Sequence, residues 1–384
     1  MSTLGERIQA RRMELGVTLP QLAEAAGRTP ADLAQVERGE RNVRSRELRA
    51  IAERLGTSVR GLLAIGAGTG RLAAVCRLEH TWSGTPIGTA LETVRLALEL
   101  EHVLFWLETP GSTSPVRGVP LPLPGGDPAQ RGRTVADTAR DALARDAAPI
   151  HDLTDFVEAF GVDVLHAPLP EQVSGVAVRA AGTSFLAVNS RCAAPDQRGA
   201  LARLLGCAFL GDDELSVDEP GPPTDGVASP GPSACAFADH LLMPEDGLRR
   251  HVGGRSVDDA VFVDLLFTFG VEADALGDRL EACGLITAGQ RREFDHLQSS
   301  DRESLAWRYG HLAAWRQDQT QLGLMRPPRR LWRRAVAAYE QGLIGTGPMS
   351  TLTNQDPEEL ELALGLVGVE PDFSDLHPRP AGSQ

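Results

Sequence analysis

Thr18-Leu-Pro-Gln21-Leu-Ala-Glu-Ala-Ala-Gly27-Arg28-Thr29-Pro-Ala31-Asp-Leu-Ala-Gln35-Val-Glu-Arg38-Gly39 is the stretch on which the reading of this chain turns. It holds two helix openings and two helix endings at matching distances. Thr18-x-x-Gln21 is a capping box and Thr29-x-x-Asp32 is close to one. In both, a hydroxyl satisfies a free N–H of the first turn and the fourth residue reaches back. Pro30 follows Thr29 at the first helical position, where a missing N–H costs nothing. Gly27 and Gly39 follow each helix, where a left-handed residue is wanted. Leu22, Ala23, Ala26, Leu33 and Val36 recur at helical spacing and give each helix one apolar face.

Working outward, Thr3-x-x-Glu6 opens an earlier helix and Ser45 is placed to cap a fourth, with Gly16 and Gly56 as the matching stops. Leu4, Ile8 and Leu15 line the first helix inward; Leu48, Ile51, Leu55, Val59 and Leu62 line the last. Four starts matched to four stops predict a bundle of short helices over residues 1–66. Two helices joined by a tight turn form a helix-turn-helix, in which the second crosses the DNA backbone and the third enters the major groove. Leu4-Gly-Glu-Arg-Ile8, Leu22-Ala23, Gly27, Leu33, Val36-Glu-Arg38-Gly-Glu-Arg41 and Leu48-x-x-Ile-Ala-Glu-Arg-Leu-Gly56 stand at the spacing of the Cro/repressor (XRE) family, which residues 4–64 resemble.

That resemblance implies that Arg28, Thr29, Ala31 and Gln35 face the groove. Gln35 is suited to adenine, and Arg28 to guanine or a phosphate. Arg38, Arg41 and Arg44 are expected on phosphates, which position a protein without specifying sequence. The family's phosphate-binding glutamine at the opening of helix two is Leu19 here, with Gln21 two positions on. Pro30, Ala31 and Ala34 bring few hydrogen-bonding groups, so readout is expected to lean on DNA shape.

A chain of 384 residues exceeds one small core, and its 42% apolar and 23% charged content is ordinary for a globular protein. Its net charge of −14 is unevenly spread. Residues 1–66 carry eleven arginines against eight acids, and the remainder twenty-seven against forty-four. A mildly basic head on an acidic body fits one DNA-facing module, and so small a surplus suggests that two heads act together as a homodimer. Apolar runs fall short of the ~18 residues of a membrane helix, and the first residues do not read as a signal peptide. Five cysteines at no regular spacing (Cys76, Cys192, Cys207, Cys235, Cys283) suit a reducing compartment. The expected location is therefore the cytoplasm.

Residues 67–132 read as a helical connector, strongest at 90–107, followed by a Pro/Gly/Ser-rich linker over 109–132. An α+β pattern follows, with helices over 134–145, 152–160 and 197–210 and strands over 162–166, 173–179 and 184–189, the last two as a hairpin. Residues 211–232 read as a loop. Helices resume at 234–243, 258–269, 273–283 and 331–341. The domains expected are 1–66, 67–132, an α+β domain over 133–250, a C-terminal helical region over 251–372, and a tail over 373–384.

Ile150-His-Asp-Leu153, Val173-Ser-Gly-Val-Ala-Val178, Pro195-Asp-Gln-Arg198 and Leu241-Leu-Met-Pro-Glu245 are among stretches that make residues 134–371 resemble the ImmA/IrrE metallopeptidase family. The resemblance implies a zincin-like fold, with a His-Glu-x-x-His helix over 199–211 and a third ligand, Glu, at the start of the next helix. On such a helix two histidines four apart share a zinc, and the Glu serves as general base. Here the first ligand slot is Arg203, the base is Leu204, the second ligand slot is Cys207 and the third is Ser233. A cation in a ligand slot repels zinc and leucine accepts no proton, so no catalytic residue, metal or cofactor is expected. Cys207 and Cys235, with Asp239 or His240, offer an unorthodox metal set. Leu204, Leu205, Cys207 and Phe209 read either as core or as the lining of an apolar ligand pocket. The basic run Arg326–Arg334 either touches DNA beside the head or pairs with acids.

The expectation is a mainly α protein with a small α+β part: a regulator that binds double-stranded DNA, with an inactive peptidase-like body sensing a small molecule or a protein, and without a membrane segment. The competing readings are a peptidase that cleaves a partner repressor and an interaction module that does not bind DNA.

Overall fold

Four short helices lead the chain in the computed structural model, which describes residues 4–14, 17–41, 43–55, 70–107, 125–180, 183–211, 213–298 and 301–371. They are α1 (Leu4–Glu14), α2 (Leu19–Ala25), α3 (Pro30–Glu37) and α4 (Ser45–Arg54). The capping boxes form as the sequence requires. The Gln21 N–H donates to Thr18 Oγ1 at 3.4 Å while Gln21 Oε1 accepts from the Thr18 N–H at 2.9 Å. Asp32 and Thr29 repeat the exchange at 3.2 and 3.4 Å. Gly27 and Gly39 take φ of 65° and 73°, the left-handed region that favours glycine. One expectation shifts: α4 begins at Ser45 and Arg44 occupies the cap position, because the Glu47 carboxylate reaches back to the Arg44 N–H at 3.2 Å. Thr3, Leu15, Gly16, Gly56, Val59 and Leu62 lie outside the described residues.

Leu4, Ile8, Leu22, Leu33, Val36, Leu48, Ile51 and Leu55 meet in one core, against which Val103 of the helix Pro86–Leu107 packs. Gly5 lets α1 lie directly on α3, since a Cβ there would stand 2.2 Å from the Val36 carbonyl oxygen and 2.6 Å from that of Glu37.

The residues group into two compact units, one of Met1–Cys76, Arg95–Pro115 and Pro327–Gln384, the other of Arg77–Val94 and Val116–Arg326. In the first unit, buried Glu101 accepts from Arg71 at 2.6 and 2.7 Å and from Arg330 at 3.0 Å, with Arg334 at 3.8 Å. Two arginines of the basic run 326–334 are therefore paired with an acid. The helix Arg329–Glu340 buries Leu331, Ala335, Ala338 and Tyr339, and the helices Thr346–Thr353 and Pro357–Leu366 follow it.

The second unit is built on a four-stranded mixed sheet, β1 (Asp163–Ala167), β2 (Gly175–Ala180), β3 (Thr183–Asn189) and β4 (Leu215–Asp218), in the order β1-β3-β2-β4. The expected hairpin is present, with Val178 opposite Phe185; β1 joins β3 in parallel. The helix Ala194–Leu210 packs on β2 and β3. Glycine brings its neighbours close: a Cβ on Gly206 would meet Ala234 at 2.9 Å, and one on Gly132 would meet the Ser233 carbonyl oxygen at 2.4 Å. The helix Pro232–Leu242 thus lies against both Ala194–Leu210 and Pro128–Ala142.

Where local pattern and structure differ, the cause is visible. The helix Pro128–Ala142 starts inside the expected linker because Asp127 caps it through the N–H groups of Ala129 and Gln130; residues 109–124 lie outside the described set. β4 lies inside the expected loop 211–232, where four residues of strand are followed by a Pro/Gly run. Among the described residues, no helix is long and apolar enough to cross a membrane.

Candidate nucleic-acid interface

The third helix offers an outer stripe and an inner one. Ala31, Gln35 and Arg38 are exposed, at spacings of four and three that put them on one side. Leu33, Val36 and Glu37 are buried on the other. Pro30 is exposed at the helix start beside Thr29, whose hydroxyl is committed to Asp32 at 2.7 Å. Gln21 is exposed on α2 with its carbonyl oxygen in the Thr18 capping box, which leaves its amide N–H groups facing outward.

The arginines divide into three sorts. Arg28 turns into the fold: it pairs with Glu47 at 2.7 Å, with side-chain exposures of 17% and 13%, and so braces α4 against the turn between α2 and α3. Arg41 pairs with Asp32, whose carboxyl is held below the usual range first by the Thr29 bond and then, to a lesser degree, by the charges of Arg41 and Arg28. Arg38 pairs with Glu40 at 2.8 and 2.9 Å, both of them more than half exposed. Exposed pairs are worth ~0–1 kcal/mol, so Arg38 can exchange Glu40 for a phosphate at little cost. Arg44 sits at the α4 cap position. Ala31 and Gln35 thus share the exposed face of α3, Thr29 caps its start with the hydroxyl on Asp32, and Arg28 is held by Glu47.

The second unit contains the four positions that the sequence reading placed in metal-site slots, Arg203, Leu204, Cys207 and Ser233. Arg203 donates through Nε and Nη2 to the two oxygens of Asp218 at 3.0 and 2.8 Å, and Asp218 is 5% exposed. Burial pulls the guanidinium down, and the bonds and charge of Asp218 more than offset it. Burial pushes the Cys207 thiol up to about 11, and the thiol of Cys235 up as well. Leu204 is fully buried, and the backbone of Ser233 lies against Gly132. Among the described residues no group of three or more His, Cys, Asp or Glu is placed to hold a metal, and the residues present do not fit zinc. Phe209 packs edge-to-face between Phe160 and Phe237, with centroids at 5.3 and 5.8 Å, so Leu204, Leu205 and Phe209 are core.

Sequence reading missed two polar centres. Asp218 was hidden in the presumed loop, its only signal the apolar–polar alternation of Leu215-Ser-Val-Asp218. His166 on β1 is buried between Thr154 Oγ1 at 2.9 Å and Gln197 Oε1 at 3.2 Å. Gln197 uses its amide N–H groups on the carbonyls of Ser190 and Cys192, so its oxygen must accept from His166 Nδ1–H, and Nε2 accepts from Thr154. Burial, then the charge of Arg326, lowers His166 to about 4. His240, named from the sequence only as part of an unorthodox metal set, is bonded to Arg279 at 2.9 Å and lowered to about 4, first by burial and then by that arginine.

Residues 3–64 match the family model of a helix-turn-helix domain. The match covers the head alone, and it makes that head a domain of the kind DNA-binding regulators carry. No curated protein matches the chain.

Proposed function

We propose that the chain is a transcriptional regulator that reads double-stranded DNA through α3, acts as a homodimer, and carries a peptidase-like body without catalytic function that receives an effector. The exposed stripe Ala31–Gln35–Arg38 on a doubly capped α3, inside the segment matching a helix-turn-helix domain, carries this reading. Gln35 supplies the directional contact, since an amide offers one donor and one acceptor to adenine. Arg38 at the end of the stripe, with Arg41 and Arg44 beyond it, supplies phosphate contacts by exchange with present partners.

The body reading rests on the resemblance of residues 134–371 and on what stands in the ligand slots. The Arg203–Asp218 pair supplies a positive charge where the active family has a metal, and Leu204 leaves no base for water.

Selection of genomic DNA fragments by the purified full-length protein at near-physiological salt, followed by sequencing, tests the proposal. A short recurring site in inverted repeat supports a dimeric regulator. Binding without enrichment removes sequence reading from the proposal. No binding by folded protein overturns it in favour of an interaction module.

A further inference from the structure

The helix Pro357–Leu366 buries Leu360 and Leu364 and leaves Leu362 and Leu366 outward. Leu362, Leu366 and Val367 are 70%, 89% and 73% exposed. Leu362 and Leu366, four apart, share one side of the helix, and Val367 follows at its end. Exposed large apolar residues elsewhere stand singly or in pairs, at Met13, Trp307, Leu322 and Leu324. Leu362 and Leu366 line a groove of about 740 Å³ whose far wall is Tyr339 of the helix Arg329–Glu340. Its rim carries Glu358, Glu361 and Glu370 and no basic residue. Burial, with the charges of Glu361 and Glu370, pushes the Tyr339 hydroxyl up.

An apolar floor with a one-signed rim specifies its occupant. A second copy docking the same face by two-fold symmetry would set three carboxylates against three, which opposes self-pairing. A helix with leucine-type residues on one stripe and arginine or lysine beside them satisfies both features. We propose that this groove docks a cationic amphipathic helix of a partner protein. That such a partner controls the DNA-binding head rests on the regulator reading; the docking itself does not. The groove is one helix away from the head's support: Arg330 and Arg334, on the helix that carries Tyr339, hold Glu101, and Val103 two residues on packs against the head core.

The test is fluorescence anisotropy of full-length protein with a labelled helical peptide bearing leucines at i, i+4 spacing flanked by arginines. A second peptide carries glutamate in place of every arginine. The cationic peptide is expected to bind saturably and the acidic one not to bind. Leu366→Asp and Glu361→Arg should each weaken binding by about tenfold, and added salt should do likewise. Leu366 is almost fully exposed, so its replacement leaves folding intact, which circular dichroism checks. Three results overturn the inference: no saturable binding, equal binding of both peptides, or binding unchanged by either substitution. Self-association that Leu366→Asp abolishes also overturns it, in favour of a second copy. The peptide result is independent of DNA binding, so either reading can fail while the other stands.

Discussion

Arg12 of α1 holds Glu37, the last residue of α3, in a two-pronged ion pair at 2.7 and 2.9 Å, and also donates to the Val17 carbonyl at 3.2 Å. Glu37 is 4% exposed, so its charge has no access to water once the guanidinium is gone. Stranding a buried charge costs about 3–5 kcal/mol, whereas replacing both partners by apolar groups is often neutral. Arg12→Met should therefore lower the opening free energy of α3 by about 3 kcal/mol, and Arg12→Met with Glu37→Leu should restore most of it. Hydrogen exchange over residues 19–37 reads this locally, without assuming that the whole chain unfolds in one step. Unchanged exchange in Arg12→Met would show that the pair does not hold α3 in place.

The DNA-facing stripe gives a second expectation, in two parts that move differently. Gln35→Ala should cost about 1–3 kcal/mol of preference for the cognate site over scrambled DNA. Arg41→Ala should weaken both alike and reduce the salt slope by about one. Because Arg41 is held by Asp32 in the free protein, Asp32→Asn should raise affinity for scrambled DNA. Titrations on the two DNAs at several salt concentrations check all three. Equal losses on both DNAs for Gln35→Ala would remove it from readout.

The head was legible in the sequence because its signals are local. Thr18, Thr29, Gly27 and Gly39 each act within one turn, and the caps and left-handed residues stand where those types require. Its ion pairs were not legible. Arg28–Glu47 spans 19 residues and Arg12–Glu37 spans 25, and nothing in either neighbourhood marks the partner. The body shows the same division on a larger scale. Its hairpin and apolar helices follow from periodicity, but its arginines work at a distance. Arg140 closes the end of the helix Pro232–Leu242 through the Leu241 carbonyl, 101 residues away. Arg198 does so for the helix Asp259–Phe269 through Phe269 and Gly270. Arg279 reaches the Met243 carbonyl in the same manner. A planar fork of donors suits several carbonyls at once, which a single sequence does not reveal.

The buried His166 makes stability depend on pH. In the fold it is neutral, donating to Gln197 and accepting from Thr154, with a pKa of about 4; unfolded, it titrates near its ordinary 6.5. Between these values the unfolded chain binds the extra proton, so stability falls as pH drops from 6.5 to 4 and levels off below. The slope from this one residue is about 1.4 kcal/mol per pH unit. Urea unfolding of the body at pH 7 and pH 5 should show the loss, and His166→Gln should flatten it while lowering stability at pH 7. His240, bonded to Arg279 and also near 4, contributes in the same direction. A variant with an undiminished slope would place the titration elsewhere.

Arg203 and Asp218 give the last expectation, in which the two partners are unequal. Asp218 is 5% exposed while the Arg203 side chain retains 34%. Removing the arginine strands a carboxylate that water cannot reach; removing the carboxylate leaves a guanidinium that water partly hydrates. Arg203→Met should therefore cost about 3 kcal/mol and Asp218→Asn about 1 kcal/mol, although each breaks the same two hydrogen bonds. Urea midpoints for the body decide the order. Neither variant should gain zinc, because among the described residues no three His, Cys, Asp or Glu side chains are placed to share an ion and Leu204 adds no donor. Metal analysis after zinc loading and desalting should give well below one ion per chain for all three proteins. One tightly held ion in Arg203→Met would mean that the arginine alone keeps a metal away, and that the other residues of the site do fit zinc.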